Sequence, residues 1–491
     1  MSEAAAPSEQ QGRALAVPKD QRAMVAIDLG AESCRVSLLR WTTGSPQIEL
    51  VHRHPNAPVS RSGELHWDLT QITQQVDIGL RKCAEIATEG VRSVAADGWA
   101  VDYVLLDGDG EPIGDPFCYR DERTIASQTE VLKRISPERL RDITGIEMIR
   151  INTLYQLYAD REELRDKRWL TLPEYILHRL GGRQIAEYTN ATHTQLVDVR
   201  QRQWSSEIFE AAGLVESAAA PIVAPGTIIG KLSGRNGDIP ALEGAELIAP
   251  ACHDTASAIA GIPDSGDDWA YISSGTWSLV GTLLEQPLNG EEARAANFTN
   301  LGAVGGRICF HKNVNGMWLL RQCMAAWAPD IDWTVPELIG AAEHHQAPAA
   351  FLEVDDSDLL LPGEMPRRIN RQLTRRGLEP LEEGAESAPK MVCLILHSLA
   401  ARYGEIVASL ARLTGKRFRR MYIVGGASRN TFLNRLTANA TGLEVLCGAV
   451  ESSTIGNFAV QLAALEGQRQ THGVDAAEVA HWARQLGTAM T

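Results

Sequence analysis

Asp254 is the residue of this sequence best placed to act as a base. It follows an apolar run, residues 246–250, that predicts a strand, and it precedes a run of small residues, 256–261, that predicts a helix. In the first turn of such a helix the dipole and the free backbone N–H groups favour a charged carboxylate. That carboxylate can accept a proton from a substrate hydroxyl. An Asp that only caps the helix would show the same pattern.

Two segments far apart in the chain, residues 24–39 and 269–283, share a second pattern. Each is an apolar strand, a short turn containing Gly, Ser or Thr, and a second apolar strand. Such a turn leaves backbone N–H groups and hydroxyls free to hold phosphate oxygens. Because the two hairpins lie about half the chain apart, they predict two related lobes that face each other across a cleft.

Three further polar segments have both a functional and a structural interpretation. Asp28 ends the buried run 25–27, where a charge is costly unless it is paired or faces a cleft; it either caps a turn or helps to hold Mg²⁺, usually through water. The segment 425–428 follows an apolar strand, and its small residues either let a flat ring approach the backbone or form a tight turn. The cluster 119–124 either lines a sugar pocket or is a solvated face.

Length and composition limit the possible classes of protein. The chain has 491 residues, which suits two domains of roughly 200 residues or more. We expect a disordered tail at 1–22, an N-terminal lobe at 23–250 and a C-terminal lobe at 251–485. A net charge of −15 argues against nucleic acid and anionic membranes as partners. No apolar stretch approaches the ~18 residues that a membrane helix needs.

The cysteines and the known nucleotide motifs narrow the choice further. The 8 cysteines are scattered, without a CxxC pair, which fits reduced thiols in a cytoplasmic protein rather than a zinc site or a disulfide framework. The sequence has neither a P-loop pattern nor a GxGxxG that follows a strand. A nucleotide would therefore be bound by another architecture.

Strands and helices alternate along both halves, which indicates an α/β fold. The predicted strands include 93–97, 101–106 and 421–426, and the predicted helices include 69–88, 152–166, 391–413 and 430–441. The stretch 213–245, with scattered Gly and Pro, predicts a passage between the two lobes.

Taken together, these strings resemble the FGGY family of carbohydrate kinases over nearly the whole chain, from Met24 to about Glu466. The strings that carry the resemblance are VAIDLGA at 25–31, VDYVLLD at 101–107, YRD at 119–121, NTLYQL at 152–157, EYTNAT at 187–192, HDTASA at 253–258, SSGTWSL at 273–279 and IVGG at 423–426.

The resemblance implies a fold and a reaction. The fold is two actin-like (ribonuclease H-like) lobes, each a mixed sheet flanked by helices, with ATP and sugar in the cleft between them. The N-terminal lobe is the sugar-binding side and the C-terminal lobe the nucleotide-binding side. The reaction is transfer of the γ-phosphoryl group of ATP, with Mg²⁺, to the O1 hydroxyl of L-rhamnulose, with Asp254 as the general base.

The resemblance also implies roles for individual residues. The sugar-binding residues are Ala100, His253, Asp254 and Thr255. The nucleotide-binding residues are Ala31, Glu32, Ser33, Cys34, Arg35, Thr276, Asn313, Arg321 and Gly426. Asp28 would help to hold the metal.

The chain departs from the family pattern at several positions. Cys34 replaces a glycine of the first phosphate turn, and a side chain there is expected to narrow the space beside the phosphates. Ala100 stands where the most similar members carry glycine, and Arg321 replaces a glutamine. Two other functional hypotheses therefore stay open: a kinase of another ketose, pentulose or polyol, and a non-catalytic nucleotide- or sugar-binding protein. We expect a monomer or a small homo-oligomer.

Overall fold

The computed structural model describes residues 17–164, 166–275, 277–467, 473–487 and 489. Residues 1–16 of the predicted tail, and Thr276 of the second hairpin, lie outside these described residues. Residues 17–22 lead into the first strand, and Arg22 binds the carboxylate of Asp20 through two guanidinium nitrogens.

Strands and helices alternate along the described residues, as the sequence predicted. The strands are β1 (Ala23–Leu29), β2 (Ser33–Thr42), β3 (Ser45–Pro55), β4 (Val59–Arg61), β5 (Glu64–His66), β6 (Val91–Gly98), β7 (Tyr103–Leu106), β8 (Arg168–Thr171), β9 (Ala186–Glu187), β10 (Val197–Asp198), β11 (Gln203–Trp204), β12 (Ile222–Val223), β13 (Thr227–Lys231), β14 (Glu246–Ala249), β15 (Trp269–Ser274), β16 (Trp277–Leu284), β17 (Thr299–Gly302), β18 (Ile308–Asn315), β19 (Arg420–Val424) and β20 (Glu444–Cys447). The α-helices are α1 (Leu69–Ile86), α2 (Thr124–Leu132), α3 (Pro137–Thr144), α4 (Thr153–Ala159), α5 (Leu172–Arg179), α6 (Tyr188–His193), α7 (Ser206–Ala212), α8 (Asp254–Ala260), α9 (Glu291–Ala295), α10 (Trp318–Trp327), α11 (Val335–Glu343), α12 (Met365–Arg375), α13 (Ala388–Thr414), α14 (Thr431–Thr441), α15 (Ser452–Glu466) and α16 (Ala476–Leu486).

Each half of the chain contributes one six-stranded mixed sheet. The first sheet has the order β3-β2-β1-β6-β14-β13, and the second has the order β17-β18-β16-β15-β19-β20. In the first, β1 pairs antiparallel with β2 and parallel with β6; in the second, β15 pairs antiparallel with β16 and parallel with β19. The predicted hairpins are thus equivalent β1–β2 and β15–β16 units at the centres of two related sheets, and the two-lobed α/β fold is confirmed.

Chain order alone does not divide the two lobes. Helices α15 and α16 come from the end of the sequence, yet their apolar side chains pack with those of the first sheet in one core, which includes Met24, Ile248, Phe458 and Trp482. The opposite face of the first sheet packs against α1 and α5. The last helices of the chain therefore help to hold the first lobe together.

Helices α8 and α15 cross between the two sheets at very short range. A Cβ atom built on Gly456 would lie 1.8 Å from the backbone oxygen of Ser257, and one on Gly261 would lie 2.5 Å from the backbone oxygen of Ser452. The hydroxyl of Ser452 also donates to the backbone oxygen of Ala258 at 2.8 Å. The run of small residues that predicted α8 is therefore what permits this close crossing.

Helix α13 belongs to the core of the second lobe. The segment Ala385–Thr414 has the length and composition of a membrane span, with a mean hydropathy of 1.4 over its most apolar 18 residues. The expectation that no apolar stretch reaches that length is therefore wrong. However, 67% of this window is buried inside the protein, where residues such as Leu399 and Tyr403 pack with the second sheet. Core packing accounts for the apolar character of this helix.

Candidate active site

Four segments from distant parts of the sequence meet at one end of the first sheet. The turn of the β1–β2 hairpin, the end of β6, the start of α8 and the start of α15 are joined by hydrogen bonds between Asp28 and Ser453, between Gly98 and Cys252, and between Asp97 and Asn457. Asp28 and Asp97 are direct neighbours in the parallel β1–β6 ladder. This is the place where the sequence predicted a cleft with catalytic carboxylates.

Asp28 is buried and partly neutralised. Its Oδ2 accepts a hydrogen bond from Ser453 Oγ at 2.7 Å and lies 3.1 Å from Nη2 of Arg35. Arg35 also binds Glu451, so one guanidinium joins the first hairpin to the start of α15. The other oxygen of Asp28, Oδ1, is buried and has no hydrogen-bond partner among the described residues.

Asp97 is a functional candidate that the sequence analysis missed. It is fully buried, its Oδ2 accepts from Asn457 Nδ2 at 2.6 Å, and its Oδ1 finds no hydrogen-bond partner in the described part of the chain. Burial, and then the negative charges of Asp28 and Asp254, raise the pKa of Asp97 well above its usual value. The signal was present in the sequence, because Asp97 ends a buried strand just as Asp28 does.

Asp254 is the first residue of α8 and follows β14 after a short loop, as predicted. Although 36% of its side-chain surface is exposed, its position between the lobes raises its pKa to about 7 through desolvation, with a further contribution from Asp28. The hydrogen bonds from Thr255 lower the pKa, as the helix-terminus argument requires, but they are outweighed. The helix start therefore favours the charged form of Asp254, as the sequence indicated, but burial raises the pKa by more than the helix start lowers it. A pKa near neutrality is instead suited to a general base.

The neighbours of Asp254 hold its carboxylate. The hydroxyl of Thr255 donates to Oδ1 at 3.2 Å, and Nε2 of His253 lies 3.4 Å from the same oxygen. Burial lowers the pKa of His253 to about 3, so the ring is neutral and its contact with Asp254 is not an ion pair. The ring of His193 packs against that of His253 with centroids 4.0 Å apart.

The backbone that leads into Asp254 rests on a buried polar network. Glu187 Oε2 accepts the N–H of Cys252 at 2.8 Å, and the hydroxyl of Thr189 accepts the N–H of His253 at 3.2 Å. Burial raises the pKa of Glu187 to about 8. The string at 187–192, noted in the sequence only for its resemblance, thus supports the segment that carries the base.

The loop that follows β6 lies directly beside this segment. Gly98 forms a parallel bridge with His253, and its N–H donates to the backbone oxygen of Cys252 at 2.9 Å. A Cβ atom on Gly98 would lie 2.8 Å from the backbone oxygen of Leu29, so a glycine is needed there. Ala100, two residues further on, is buried. The loop that carries Ala100 therefore begins beside His253.

The turn of the β1–β2 hairpin, predicted to bind phosphate, is tight and lies at an interlobe contact. Gly30 donates its N–H to the backbone oxygen of Ser33 at 3.1 Å, which leaves Ala31 and Glu32 at the tip of the turn. Glu32 forms an ion pair with Arg321 of α10, with one hydrogen bond of 2.9 Å. Two predicted nucleotide-side residues, Glu32 and Arg321, thus bind each other across the lobes.

The side chain of Cys34 points away from the place that the sequence analysis expected for it, the space beside the phosphates. Its side chain is 4% exposed and packs in the core of the first lobe, so it does not narrow the space at the tip of the turn, where phosphates were predicted to bind. Burial raises the pKa of this thiol to about 12. Because side chains alternate along a strand, Arg35 rather than Cys34 faces the carboxylates.

The remaining nucleotide-side residues lie in the second lobe. The loop of Gly425 and Gly426 lies against the end of β15: a Cβ atom on Gly425, whose φ is +83°, would be 2.7 Å from the backbone oxygen of Ser274. Nδ2 of Asn313 donates to the carboxylate of Glu147 in the first lobe at 3.0 Å. The loop 425–426 is therefore next to the second hairpin, whose Thr276 is not among the described residues.

The donor set at Asp28 and Asp97 suits a magnesium ion better than a transition metal. No group of three or more His, Cys, Asp or Glu side chains within the described ranges is arranged as a metal cluster. Asp28 and Asp97 nevertheless each have one buried carboxylate oxygen without a protein partner. Mg²⁺ prefers such oxygen ligands and keeps several of its waters, so one or two carboxylates are enough.

Models of the two FGGY domains match most of the chain. The N-terminal domain of the FGGY family of carbohydrate kinases matches residues 23–261, and the C-terminal domain matches residues 270–465. The chain belongs to this family. A rhamnulokinase of Bacteroides thetaiotaomicron is 35% identical over 442 residues, which cover 89% of each of the two chains.

Solved structures of a gluconate kinase and of a xylulose kinase share the fold. A gluconate kinase from Lactobacillus acidophilus has a TM-score of 0.74 at 14% identity and covers 96% of this chain and 97% of its own. A xylulose kinase from Rhodospirillum rubrum has a TM-score of 0.74 at 16% identity, with 94% and 92% covered. These likenesses show the fold of two actin-like lobes. Membership of the FGGY family, together with the rhamnulokinase relative, makes this protein a sugar kinase and implies that it uses ATP.

Proposed function

We propose that this FGGY kinase phosphorylates L-rhamnulose to L-rhamnulose 1-phosphate in rhamnose catabolism. The observation that carries the proposal is the position of Asp254: its carboxylate lies at the start of α8, accepts a hydrogen bond from the hydroxyl of Thr255, and is next to the strand end that leads into the loop of Ala100. The 35% identity to the Bacteroides thetaiotaomicron rhamnulokinase supports the choice of sugar. The same relative supports a cytoplasmic location; a monomer or small homo-oligomer remains our expectation.

Asp254 is the general base in the proposed reaction. Its carboxylate takes the proton of the O1 hydroxyl of the sugar as O1 forms a bond to the γ-phosphorus of ATP. The bond from that phosphorus to the oxygen bridging to ADP breaks, and ADP leaves with the electron pair. Phosphoryl transfer needs positioning and charge stabilisation more than covalent help, and a base with a pKa near the working pH is the efficient choice.

In this proposal the two substrates are bound by different parts of the protein. The sugar is bound by Ala100, in the loop after β6 of the first lobe, and by His253 and Thr255 at the start of α8. The two hairpin turns bind the phosphates, the first through Ala31, Glu32, Ser33 and Arg35 and the second through Thr276. Cys34, whose side chain is buried in the core, contributes no side-chain group. Asn313, Arg321 and Gly426 lie on the nucleotide side. Closure of the lobes excludes water and limits ATP hydrolysis.

Mg²⁺ would be held next to the phosphates by Asp28 and Asp97. Their unpaired oxygens, Oδ1 in both residues, support this assignment. When bound, the ion neutralises charge on the phosphates. Arg35, which already binds Asp28 and Glu451, supplies a second positive charge in the same place.

A kinase of another ketose is the second candidate. Ala100 favours it, because the methyl group of this buried residue takes space that a glycine would leave to the sugar. A non-catalytic nucleotide- or sugar-binding protein is the weaker alternative, since the carboxylate of Asp254 and the residues that hold it are all present.

An ADP-release assay over a panel of acceptors separates the two sugar-kinase candidates. The panel contains L-rhamnulose, L-fuculose, D-xylulose, L-ribulose, D-gluconate and glycerol, and kcat/KM is measured for each. We expect the highest value with L-rhamnulose. A value at least tenfold higher with another acceptor would replace L-rhamnulose by that acceptor. A lack of turnover with every acceptor, by a protein that binds ATP, would reject kinase activity on all of these sugars.

A further inference from the structure

The proposed mechanism does not use Asp102, a buried carboxylate at the end of the loop 98–102, which carries Ala100. It is fully buried, and its two oxygens accept from four donors. Oδ2 accepts from the indole N–H of Trp67 at 2.6 Å, from that of Trp99 at 3.0 Å and from the backbone N–H of Tyr119 at 3.2 Å. Oδ1 accepts from the side-chain amide of Gln156 at 3.0 Å. Only a carboxylate has the acceptor capacity for four such donors at a buried position, so another side chain here would leave donors without a partner.

The four donors come from four separate segments. Trp67 precedes α1, Tyr119 belongs to the polar cluster 119–124, and Gln156 lies in α4. The rings of Trp67 and Trp99 pack with centroids 4.6 Å apart. One carboxylate therefore fixes the mutual positions of an aromatic pair, the cluster 119–124 and the helix behind them.

These contacts continue without a gap to the catalytic base. The N–H of Trp99 donates to the backbone oxygen of Leu29 at 3.0 Å, and Gly98 forms a bridge with His253. His253 in turn contacts the carboxylate of Asp254. A shift of Trp99 would therefore displace both Ala100, which follows it in the chain, and the segment 252–254, which carries the base.

The loop between Trp99 and Asp102 is held in a strained conformation. Val101 has a φ of +74°, a left-handed value that a β-branched residue rarely adopts. Its backbone oxygen accepts from the hydroxyl of Thr153 at 2.8 Å and from Gln156 at 3.2 Å. Strain of this kind persists only where surrounding contacts impose it, and it is concentrated at functional sites.

We infer that Asp102 is the positioning residue of the sugar pocket: it sets the shape of the loop 98–102 and so determines the affinity for sugar and the selectivity among sugars. The inference rests on the proposed function, because it places the sugar at Ala100. Asp102 touches neither substrate in this account and acts through Trp99, Val101 and the backbone between them.

The variant Asp102→Asn tests the inference. The amide has one acceptor oxygen, so its NH₂ group must face either the three donors on the Oδ2 side or the amide of Gln156. We expect KM for the preferred sugar to rise at least tenfold, KM for ATP to stay within twofold, and the ratio of kcat/KM between sugars to shrink. Asp107→Asn is the matched control. Asp107 lies at the far end of β7, is exposed, and accepts two backbone N–H groups at 2.9 Å, so both KM values should stay unchanged.

Acrylamide quenching of tryptophan emission provides a readout that needs no sugar. Trp67 and Trp99 are almost fully buried, and we expect Asp102→Asn to increase quenching relative to the wild type and to Asp107→Asn. The increase should be largely lost in Trp99→Phe/Asp102→Asn. Trp99→Phe alone keeps an aromatic ring but removes one of the four donors, and it should raise KM for sugar about threefold. This variant replaces Asp102→Asn as the test if Asp102→Asn does not fold.

Two results would overturn the inference. The first is a sugar KM within twofold of the wild type in Asp102→Asn, or equal rises in both KM values, which would mean a general structural role. The second is unchanged quenching. If the wild type phosphorylates no sugar at all, the proposed function fails, and the quenching comparison still decides whether Asp102 positions the loop.

Discussion

The crossing of α8 and α15 predicts an unusual cost for a single methyl group at Gly456. The Cβ atom of Gly456→Ala would lie 1.8 Å from the backbone oxygen of Ser257 and 2.8 Å from the backbone nitrogen of Gly261. Both atoms are fixed in backbone, so the helices themselves must separate. Overpacking of this kind costs about 1–3 kcal/mol, and we take the upper value because no flexible side chain can yield. Alanine recovers about 1 kcal/mol of helix propensity, which leaves a net loss of about 2 kcal/mol.

The prediction is measured by urea unfolding and by thermal melting of the same samples. A loss of about 2 kcal/mol corresponds to a fall in Tm of about 4–8 °C. Turnover should fall as well, because Ser257 lies on the helix that begins with Asp254.

Gly340→Ala is the matched control. Gly340 lies within α11, and a Cβ atom there would meet no described atom within 4 Å. The same substitution should therefore stabilise the protein, by about 1 kcal/mol, through helix propensity alone. Gly456→Ala at or above wild-type stability would refute the close crossing and, with it, the claim that α8 is held in place by α15.

Three further predictions concern the cleft and the thiols. Because the pKa of Asp254 in the ligand-free protein is raised to about 7 and only its carboxylate form accepts a proton, kcat/KM for the sugar should fall roughly tenfold per pH unit below about 7 and level off above it; a flat profile from pH 5.5 to 8 would contradict this assignment. Arg321→Gln should hardly change Tm, since an exposed pair contributes about 0–1 kcal/mol, yet it should increase the radius of gyration of the ligand-free protein in solution scattering because the contact with Glu32 joins the lobes; an unchanged radius would exclude that role. Maleimide should modify the exposed Cys447 first and leave Cys34 unmodified with or without Mg-ATP, because Cys34 is buried and its pKa is about 12; rapid modification of native Cys34 would show that its side chain reaches the cleft.

The elements that local patterns specify were predictable from sequence. The helices expected at 69–88 and 391–413 are α1 (Leu69–Ile86) and α13 (Ala388–Thr414), and both hairpins lie where the turns indicated. Periodicity and turn chemistry act over a few residues, and these elements depend on little else.

The elements that depend on distant partners were not. The helix expected over 152–166 ends at Ala159, and Asp160 just beyond it binds Tyr103 and Arg123 from other segments. The stretch 213–245 is not a passage between lobes, because β13 pairs antiparallel with β14 at the edge of the first sheet. In both cases a contact over a long sequence separation decides the structure.

The same limit applies to the candidate site. Asp254 and Asp28 could be found because each ends or follows a recognisable strand. Ser453 could not, since only the fold brings α15, 425 residues later in the chain, to Asp28. Nothing in the sequence around Asp102 indicated that it accepts four hydrogen bonds, because most of the donors come from distant segments. The raised pKa of Asp254 likewise depends on burial, which no local sequence pattern encodes.

The central claim, that Asp254 is the base of a sugar kinase, is tested most directly by Asp254→Asn. The amide keeps the size of the side chain but cannot take the hydroxyl proton. General-base help contributes ~10²–10⁴ in rate, so kcat with the preferred sugar should fall at least ~10²-fold, while the Tm and its increase on addition of Mg-ATP stay close to those of the wild type. The N-cap of α8 is His253, so a purely structural Asp254 would act only through the helix dipole. The variant would then lose about 0.3–1 kcal/mol of stability and keep its turnover. A variant that melts early yet phosphorylates sugar at the wild-type rate would contradict the mechanism.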